Sequence, residues 1–337
     1  MSLATATRHT HQDEEIPVLD LAPYLAGAPG ALEPLAAQLR HAFEHIGFYF
    51  IKGHGVPPAL TDAAFAEAAR FHAQPLAEKM KLERNQHNVG YLPMKNATKA
   101  ITVSNRPNLN EAFFVKRDLP ADHPDVVANK RFRGANLWPA DLPGFRETVV
   151  AYCDAMEALA LALLPIYARA LDLPADYFAR PFSPEPQYTL RLSHYPPPAA
   201  EDADAFGIAP HTDTSFLTIL AQNRLPGLSI RTQSGKWIDA PAWEGHFLVN
   251  GGDMLRRWTN DRFLATPHRA INRTGRDRYA IPFFFDCTAD HPIACLPTCQ
   301  GPDHSPKYPP FTYTEYMIGY QQRAANQGAD GTRLEAY

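Results

Sequence analysis

The sequence is poor in cysteine. Only Cys153, Cys287, Cys295 and Cys299 occur in 337 residues, too few for a disulfide framework, and no Cys-x-x-Cys pair supplies half of a structural zinc site. They are expected to be small core residues in a reducing, cytoplasmic compartment. Charge of one sign is also missing. The 32 Lys and Arg against 36 Asp and Glu leave a net charge of -4, without the basic runs that meet phosphate backbones, so no nucleic-acid partner is expected. No uninterrupted apolar stretch reaches the roughly 18 to 20 residues that span a bilayer, and the opening residues are polar, so neither export nor a membrane partner is expected. A small-molecule partner fits what is left. None of these features sets an oligomeric state.

What the chain does have is proline, 32 residues of it, about twice the usual share of roughly 5%. That composition favours short elements and many turns over a helical bundle. Residues 1–14 read as a disordered tail and Ile16 to Leu21 as a first strand. Leu32, Leu35, Ala36, Leu39, Phe43 and Ile46 repeat with the spacing of one buried helical face. Gly47 closes that helix, and Phe48 to Ile51 reads as a buried strand. Further helices are predicted over about Pro58 to Leu82 and Pro143 to Leu171, the latter kinked at Pro165. After Pro186 the pattern changes to short runs of β-branched and aromatic residues between turn signals such as Pro226-Gly227 and Ser234-Gly235, which is a sandwich or jelly-roll pattern. The expected division is an N-terminal region over 15–130, a scaffold helix within 131–186, a β core over 187–290, and a loop and helix over 291–337. The fold is thus predicted to be mainly β with flanking helices.

His-x-Asp places an imidazole and a carboxylate on the same side of a strand, facing one metal ion. It occurs three times, as His11/Asp13, His123/Asp125 and His211/Asp213. The first lies in the polar tail and the second holds Pro124 within a loop-like stretch. The third runs into the apolar Phe216 to Leu220, where a packed sheet would hold the ligands rigid. His268, at the start of another apolar run, is the candidate third ligand. Two imidazoles and one carboxylate leave open positions for substrate and dioxygen on an iron(II) ion. In Arg278 to Phe285 the period of two turns Arg278 to the same side as Ala280 and Pro282. An inward arginine is costly without an anion, and its planar fork fits a carboxylate. His41-Ala-Phe-Glu44-His45 has the His-x-x-Glu-His order of inverted zinc proteases. Helical geometry, however, puts both histidines opposite the apolar stripe, on the solvent side.

The chain resembles the isopenicillin N synthase-like family of iron(II)- and 2-oxoglutarate-dependent oxygenases. The likeness runs from Ile16-Pro-Val-Leu-Asp-Leu21 and Gly47-Phe-Tyr-Phe-Ile-Lys-Gly-His-Gly-Val56 through His211-Thr-Asp213, Pro226-Gly-Leu228, Val249-Asn250, Gly252-Asp-Met-Leu255 and Pro267-His-Arg269. The resemblance implies a double-stranded β-helix (jelly-roll) core, iron(II) held by His211, Asp213 and His268 at its open end, and 2-oxoglutarate as co-substrate with O2. Succinate and CO2 are released as a small metabolite is oxidised. The resemblance also brings Tyr195, in Arg191-Leu-Ser193-His-Tyr195-Pro196, to the co-substrate beside Arg278. Relatives usually carry Ser where Ala280 stands and Asn where Ser193 stands, so Ser193 is the candidate replacement contact. Alternatives within the same reading are an iron oxidase that does not use 2-oxoglutarate and a non-catalytic binding module. A loop with Lys95, Asn96, Lys99, Asn105 and Arg106 is a candidate substrate contact.

Overall fold

The computed structural model describes residues 15–94, 108–199 and 205–330, with side chains to residue 323. The expected tail, the candidate substrate loop from Lys95 to Arg106, the His11/Asp13 pair and the extreme C-terminus lie outside them. The elements run β1 (Val18–Asp20), α1 (Ala22–Leu25), α2 (Leu32–His45), β2 (Phe48–Lys52), α3 (Pro58–His72), α4 (Leu76–Met80), β3 (Gly90–Leu92), β4 (Glu111–Lys116), α5 (Pro124–Val127) and α6 (Phe145–Ala170) in the N-terminal half. Then follow β5 (Gln187–Tyr195), β6 (Ile208–His211), β7 (Leu217–Gln222), β8 (Leu228–Arg231), β9 (Trp237–Ala240), β10 (Phe247–Gly251), α7 (Asp253–Trp258), β11 (His268–Ala270), β12 (Arg278–Asp286) and α8 (Tyr313–Asp330).

Two sheets face each other as the jelly roll requires. The larger has eight strands in the order β1-β2-β10-β7-β12-β5-β4-β3, and the smaller has four in the order β6-β11-β8-β9. The N-terminal region therefore extends the large sheet of the β core at both edges. Alternation along β12 explains the division of labour. Ile281, Phe283 and Phe285 are buried in the main hydrophobic core, while Arg278, Ala280, Pro282 and Phe284 line a cavity between the sheets. Helices α2, α3 and α6 cover the outer face of the large sheet. The apolar stripe of α2 buries Leu35, Ala36, Leu39, Ala42 and Phe43. By length and composition α6 is apolar enough to cross a membrane, but here Val149, Met156, Leu163 and Tyr167 are packed into the core.

Two sequence expectations are corrected. The single helix over Pro58 to Leu82 is two helices, α3 and α4, separated at Ala73 to Pro75, because Pro75 disfavours helical dihedrals at Gln74. Helix α6 runs on through Pro165, the expected kink site, to Ala170. The carbonyl deprived of a partner there belongs to Leu161, a partly exposed residue beside which water can take the bond. Last, His211 and Asp213 do not share a strand. His211 ends β6 and Asp213 lies in the connection to β7, because its backbone carbonyl accepts from Asp253 N at the start of α7, 2.8 Å away, instead of from a neighbouring strand.

Candidate active site

Strand pairing brings the two histidines together. In the antiparallel β6–β11 pair His268 stands directly opposite His211, and their rings are 4.4 Å apart. Asp213 reaches across from its loop, with Oδ1 3.8 Å from His211 Nε2 and 3.6 Å from His268 Nε2. Two donors each roughly 2.1 Å from one ion can be at most about 4.2 Å apart, so both spacings suit a single metal. Each imidazole is oriented from behind. His211 Nδ1 donates to Ala209 O at 2.9 Å and His268 Nδ1 to Thr266 O at 3.2 Å, which leaves both Nε2 lone pairs aimed at the Asp213 carboxylate. The other carboxylate oxygen, Oδ2, accepts from Asn250 Nδ2 and from Thr218 Oγ1, each at 2.8 Å. Ser215 Oγ in turn donates to Thr218 Oγ1 at 2.8 Å.

The electrostatics agree with a ligand set. Burial, reinforced by the neighbouring His268, lowers the His211 pKa to about 4, which keeps the imidazole neutral. Burial alone would raise that of Asp213, but His268, His211 and the bonds from Asn250 and Thr218 outweigh it and hold the group ionised. The loop is fixed by close approach. A Cβ at Gly252 would stand 2.3 Å from Ser215 O and 2.9 Å from Asp213 O, so only glycine lets α7 begin against the loop.

At the other end of the cavity Arg278 is fully buried. It donates to Gln222 Oε1 at 3.0 Å, and its guanidinium lies 4.9 Å from the centre of the Tyr195 ring. Its Nε and Nη1 have no hydrogen-bond partner, and neither does Ser193 Oγ. Burial pulls the arginine's pKa below its usual range, yet no carboxylate lies within ion-pair distance among the described residues. Ala280 and Ser193 are direct register partners. Gly227 makes room for the arginine, since a Cβ there would be 3.0 Å from Arg278 Nε. A dicarboxylate with one end at the triad and the other at Arg278 fits these orphaned donors.

The other histidine motifs do not form such a site. His41 is exposed, and Glu44 is engaged by Arg262 at 2.9 Å. His123 caps α5 by accepting from Asp125 N, while Asp125 pairs with Arg133. A second group, His72, Glu111 and His194, is closed by Lys79, which lies 2.7 Å from Glu111, so its negative charge is already met. Sequence reasoning assigned no role to Thr218, Asn250 or Gln222. For Thr218 and Gln222 the signal was available, since both fall in register with Leu220 on the cavity side of β7. Asn250 stands in the same register with Leu248 on β10, within the Val249-Asn250 motif.

A jelly roll with two imidazoles and a carboxylate open on one side, and a buried unpaired arginine beyond them, has the donor set of the mononuclear non-haem iron(II) oxygenases. Comparison with known proteins narrows that class. A family model described as the non-haem dioxygenase in morphine synthesis N-terminal matches residues 16–141, and one for the 2OG-Fe(II) oxygenase superfamily matches residues 186–286. The chain is 36% identical to the 2-oxoglutarate-Fe(II) type oxidoreductase hxnY of Emericella nidulans, over 95% of this chain and 92% of that one. Among solved structures it resembles Neurospora crassa T7H in complex with alpha-KG and thymine, with a TM-score of 0.80, 25% identity, and coverage of 93% and 97%. The dioxygenase for auxin oxidation in rice superposes with a TM-score of 0.72 and 27% identity, covering 92% of this chain and 96% of that one. The chain belongs to the 2-oxoglutarate- and iron(II)-dependent oxygenase superfamily. It is a 2-oxoglutarate-dependent dioxygenase that uses iron(II) and O2 and acts on a small molecule.

Proposed function

We propose that His211, Asp213 and His268 hold the iron(II), that Arg278 and Tyr195 receive the distal carboxylate of 2-oxoglutarate, and that Ser193 contributes a hydrogen bond from the neighbouring strand. The reaction is oxidation of a C–H bond of a small metabolite, by hydroxylation or a related outcome. The observation that carries this reading is Arg278, a buried cation with two unpartnered N–H groups at the far end of the cavity that holds the triad. When bound, iron with 2-oxoglutarate activates dioxygen and couples loss of CO2, leaving succinate, to oxidation of the substrate.

The chain's own contribution is placement. Asn250 and Thr218 fix one oxygen of Asp213 so that the other faces the histidines. The carbonyls of Ala209 and Thr266 set both imidazole tautomers. Apolar walls from Phe48, Leu220 and Phe284 exclude water and so strengthen each polar contact inside. T7H with thymine and the auxin-oxidising dioxygenase of rice, as relatives in structure, support a compact organic substrate. The four unpaired cysteines favour a cytoplasmic location, which cell fractionation tests.

The decisive experiment is anaerobic titration of the protein with iron(II) and 2-oxoglutarate. Bidentate keto-acid chelation gives a weak visible charge-transfer band that neither component gives alone. Alanine at 211, 213 or 268 is expected to remove the band and turnover while leaving the thermal unfolding transition cooperative. A variant that kept both would take that residue out of the ligand set.

A further inference from the structure

Strand alternation turns Tyr195, Arg278 and Ala280 into the cavity and sends the intervening His194 and Tyr279 to the opposite face of the large sheet. There His194 is the centre of a cluster of charged side chains. It stands opposite Glu111 in the β4–β5 register and opposite Tyr279 in the β5–β12 register, with the Tyr279 ring stacked on it at 4.8 Å. Its Nδ1 lies 2.8 Å from Glu111 Oε1, and its Nε2 lies 2.7 Å from Asp277 Oδ1. An ionised carboxylate only accepts hydrogen bonds, so both contacts are met at once by a ring that carries a proton on each nitrogen. A neutral imidazole would turn one lone pair toward an acceptor.

The surroundings agree with that charge. The other titratable groups beside the ring are His72 from α3, Lys79 from α4 and Tyr91 from β3. His72 lies 5.3 Å away, centre to centre, and its Nε2 donates to Leu192 O at 2.9 Å. Burial lowers its pKa and so disfavours a second cationic imidazole. Lys79 Nζ is 2.7 Å from Glu111 Oε2, which also accepts from Tyr91 Oη. Burial alone would raise the Glu111 pKa, but His194, His72 and Lys79 outweigh it and hold the group ionised. Lys79 and a protonated His194 then balance Glu111 and Asp277, whereas a neutral ring would leave one negative charge unmatched.

Asp277 immediately precedes Arg278, the first residue of β12. The Arg278 guanidinium donates to Gln222, while Nε and Nη1 find no partner, so its direction depends on how firmly the start of β12 is held. His194 ties that start to β5 and, through Glu111, to β4, the next two strands of the sheet. We propose that His194, protonated on both nitrogens, is a positioning residue that clamps Asp277 and so sets Arg278 for the distal carboxylate of 2-oxoglutarate, making co-substrate affinity fall as pH rises and the ring loses a proton. The proposal rests on the assignment of Arg278 to 2-oxoglutarate. The clamp is complete below the titration of the ring and lost above it. Glu111 then keeps Lys79, but Asp277 is released. Its side chain is 57% exposed, so the effect on binding is modest.

Two measurements on the full chain test the clamp. In metal-free protein with isotope-labelled histidine, ring-nitrogen NMR at about pH 7 should show a histidine, absent from His194→Gln, that carries both protons. Anaerobic titration of 2-oxoglutarate into the iron(II)-loaded protein, followed by the visible band between about pH 6 and 8.5, should show affinity falling about three- to tenfold as pH rises. His194→Gln should give a flat profile at the weaker affinity. Asp277→Asn should also flatten the profile, because an amide can accept from the ring or donate to it and needs no second proton. The double variant should bind no more weakly than His194→Gln, since both changes remove one contact. A singly protonated ring, a flat wild-type profile, a wild-type slope in either variant, or additive losses would each overturn the clamp. Absence of the band in wild type would instead overturn the co-substrate reading beneath it, and the ring signals, which need neither iron nor 2-oxoglutarate, tell the two failures apart.

Discussion

Replacing Arg278 by leucine should have opposite effects on the empty and the loaded protein. In the empty protein the guanidinium is fully buried, holds one neutral hydrogen bond to Gln222, and leaves Nε and Nη1 unpaired. Exchanging such a cation for an apolar side chain removes a desolvation cost, so the ligand-free variant should unfold at an equal or higher temperature than wild type. In the loaded protein the substitution strands the distal carboxylate of 2-oxoglutarate among Tyr195, Ala280 and Leu220 without its cation. The cost is about 3–5 kcal/mol, which is at least a hundredfold in Kd. Thermal unfolding with and without 2-oxoglutarate, in the presence of iron(II) and the absence of oxygen, reads both. Wild type at about 100 times its Kd gains about 2.7 kcal/mol, and the variant should gain almost none at that concentration. Ala280→Ser refines the argument. Its hydroxyl would emerge opposite the unpartnered Ser193 Oγ, so part of the gain goes to that cross-strand bond, and tightening should not exceed about tenfold. Unchanged 2-oxoglutarate affinity in Arg278→Leu, or a large loss of stability in its ligand-free form, would refute the reasoning.

Three further outcomes are expected. Asn250→Ala and Thr218→Val each remove one of the two bonds that orient Asp213 Oδ2 and should weaken iron(II) binding about 10- to 100-fold by competition with a chelator, while undiminished affinity would make both bonds incidental. Substituting His41 and His45 together should leave iron content and turnover intact, because His41 is exposed and Glu44 is committed to Arg262; loss of metal in that variant would count against the triad. Asp286 is buried, and burial pushes its pKa from the ordinary carboxylate range up to about 7. A raised carboxyl pKa favours the protonated fold, so its contribution is full below about pH 4 and is lost as pH rises to about 7, by at most about 4 kcal/mol. Chemical denaturation across that window should show Asp286→Asn flattening the decline, and identical pH profiles would remove Asp286 from the account.

How much of this was legible beforehand follows from the range of each interaction. The choice of His211-Thr-Asp213 among three His-x-Asp pairs, and the inward direction of Arg278, came from local pattern, since a two-residue period and the apolar run behind it sit within ten residues. Even there the strand geometry assumed for the pair was wrong, because the backbone of Asp213 is held by α7, a later element that no local pattern reveals. His268 lies 55 residues beyond Asp213 (268 − 213 = 55), and spacing alone could not place it. The antiparallel pairing of β11 with β6 does so, by setting it opposite His211. Thr218 and Asn250 meet one carboxylate oxygen from two neighbouring strands of the large sheet. Arg191 finds Asn110 across a β4–β5 pair separated by 81 positions. The sequence by itself determined which side chains bear the chemistry and which face of a strand they occupy, because both are written in short-range pattern. Only the tertiary structure decided which donors are satisfied and which, at Arg278, are left without a partner among the described residues, because hydrogen-bond partnership in this fold is made by strands that pair far apart in the chain.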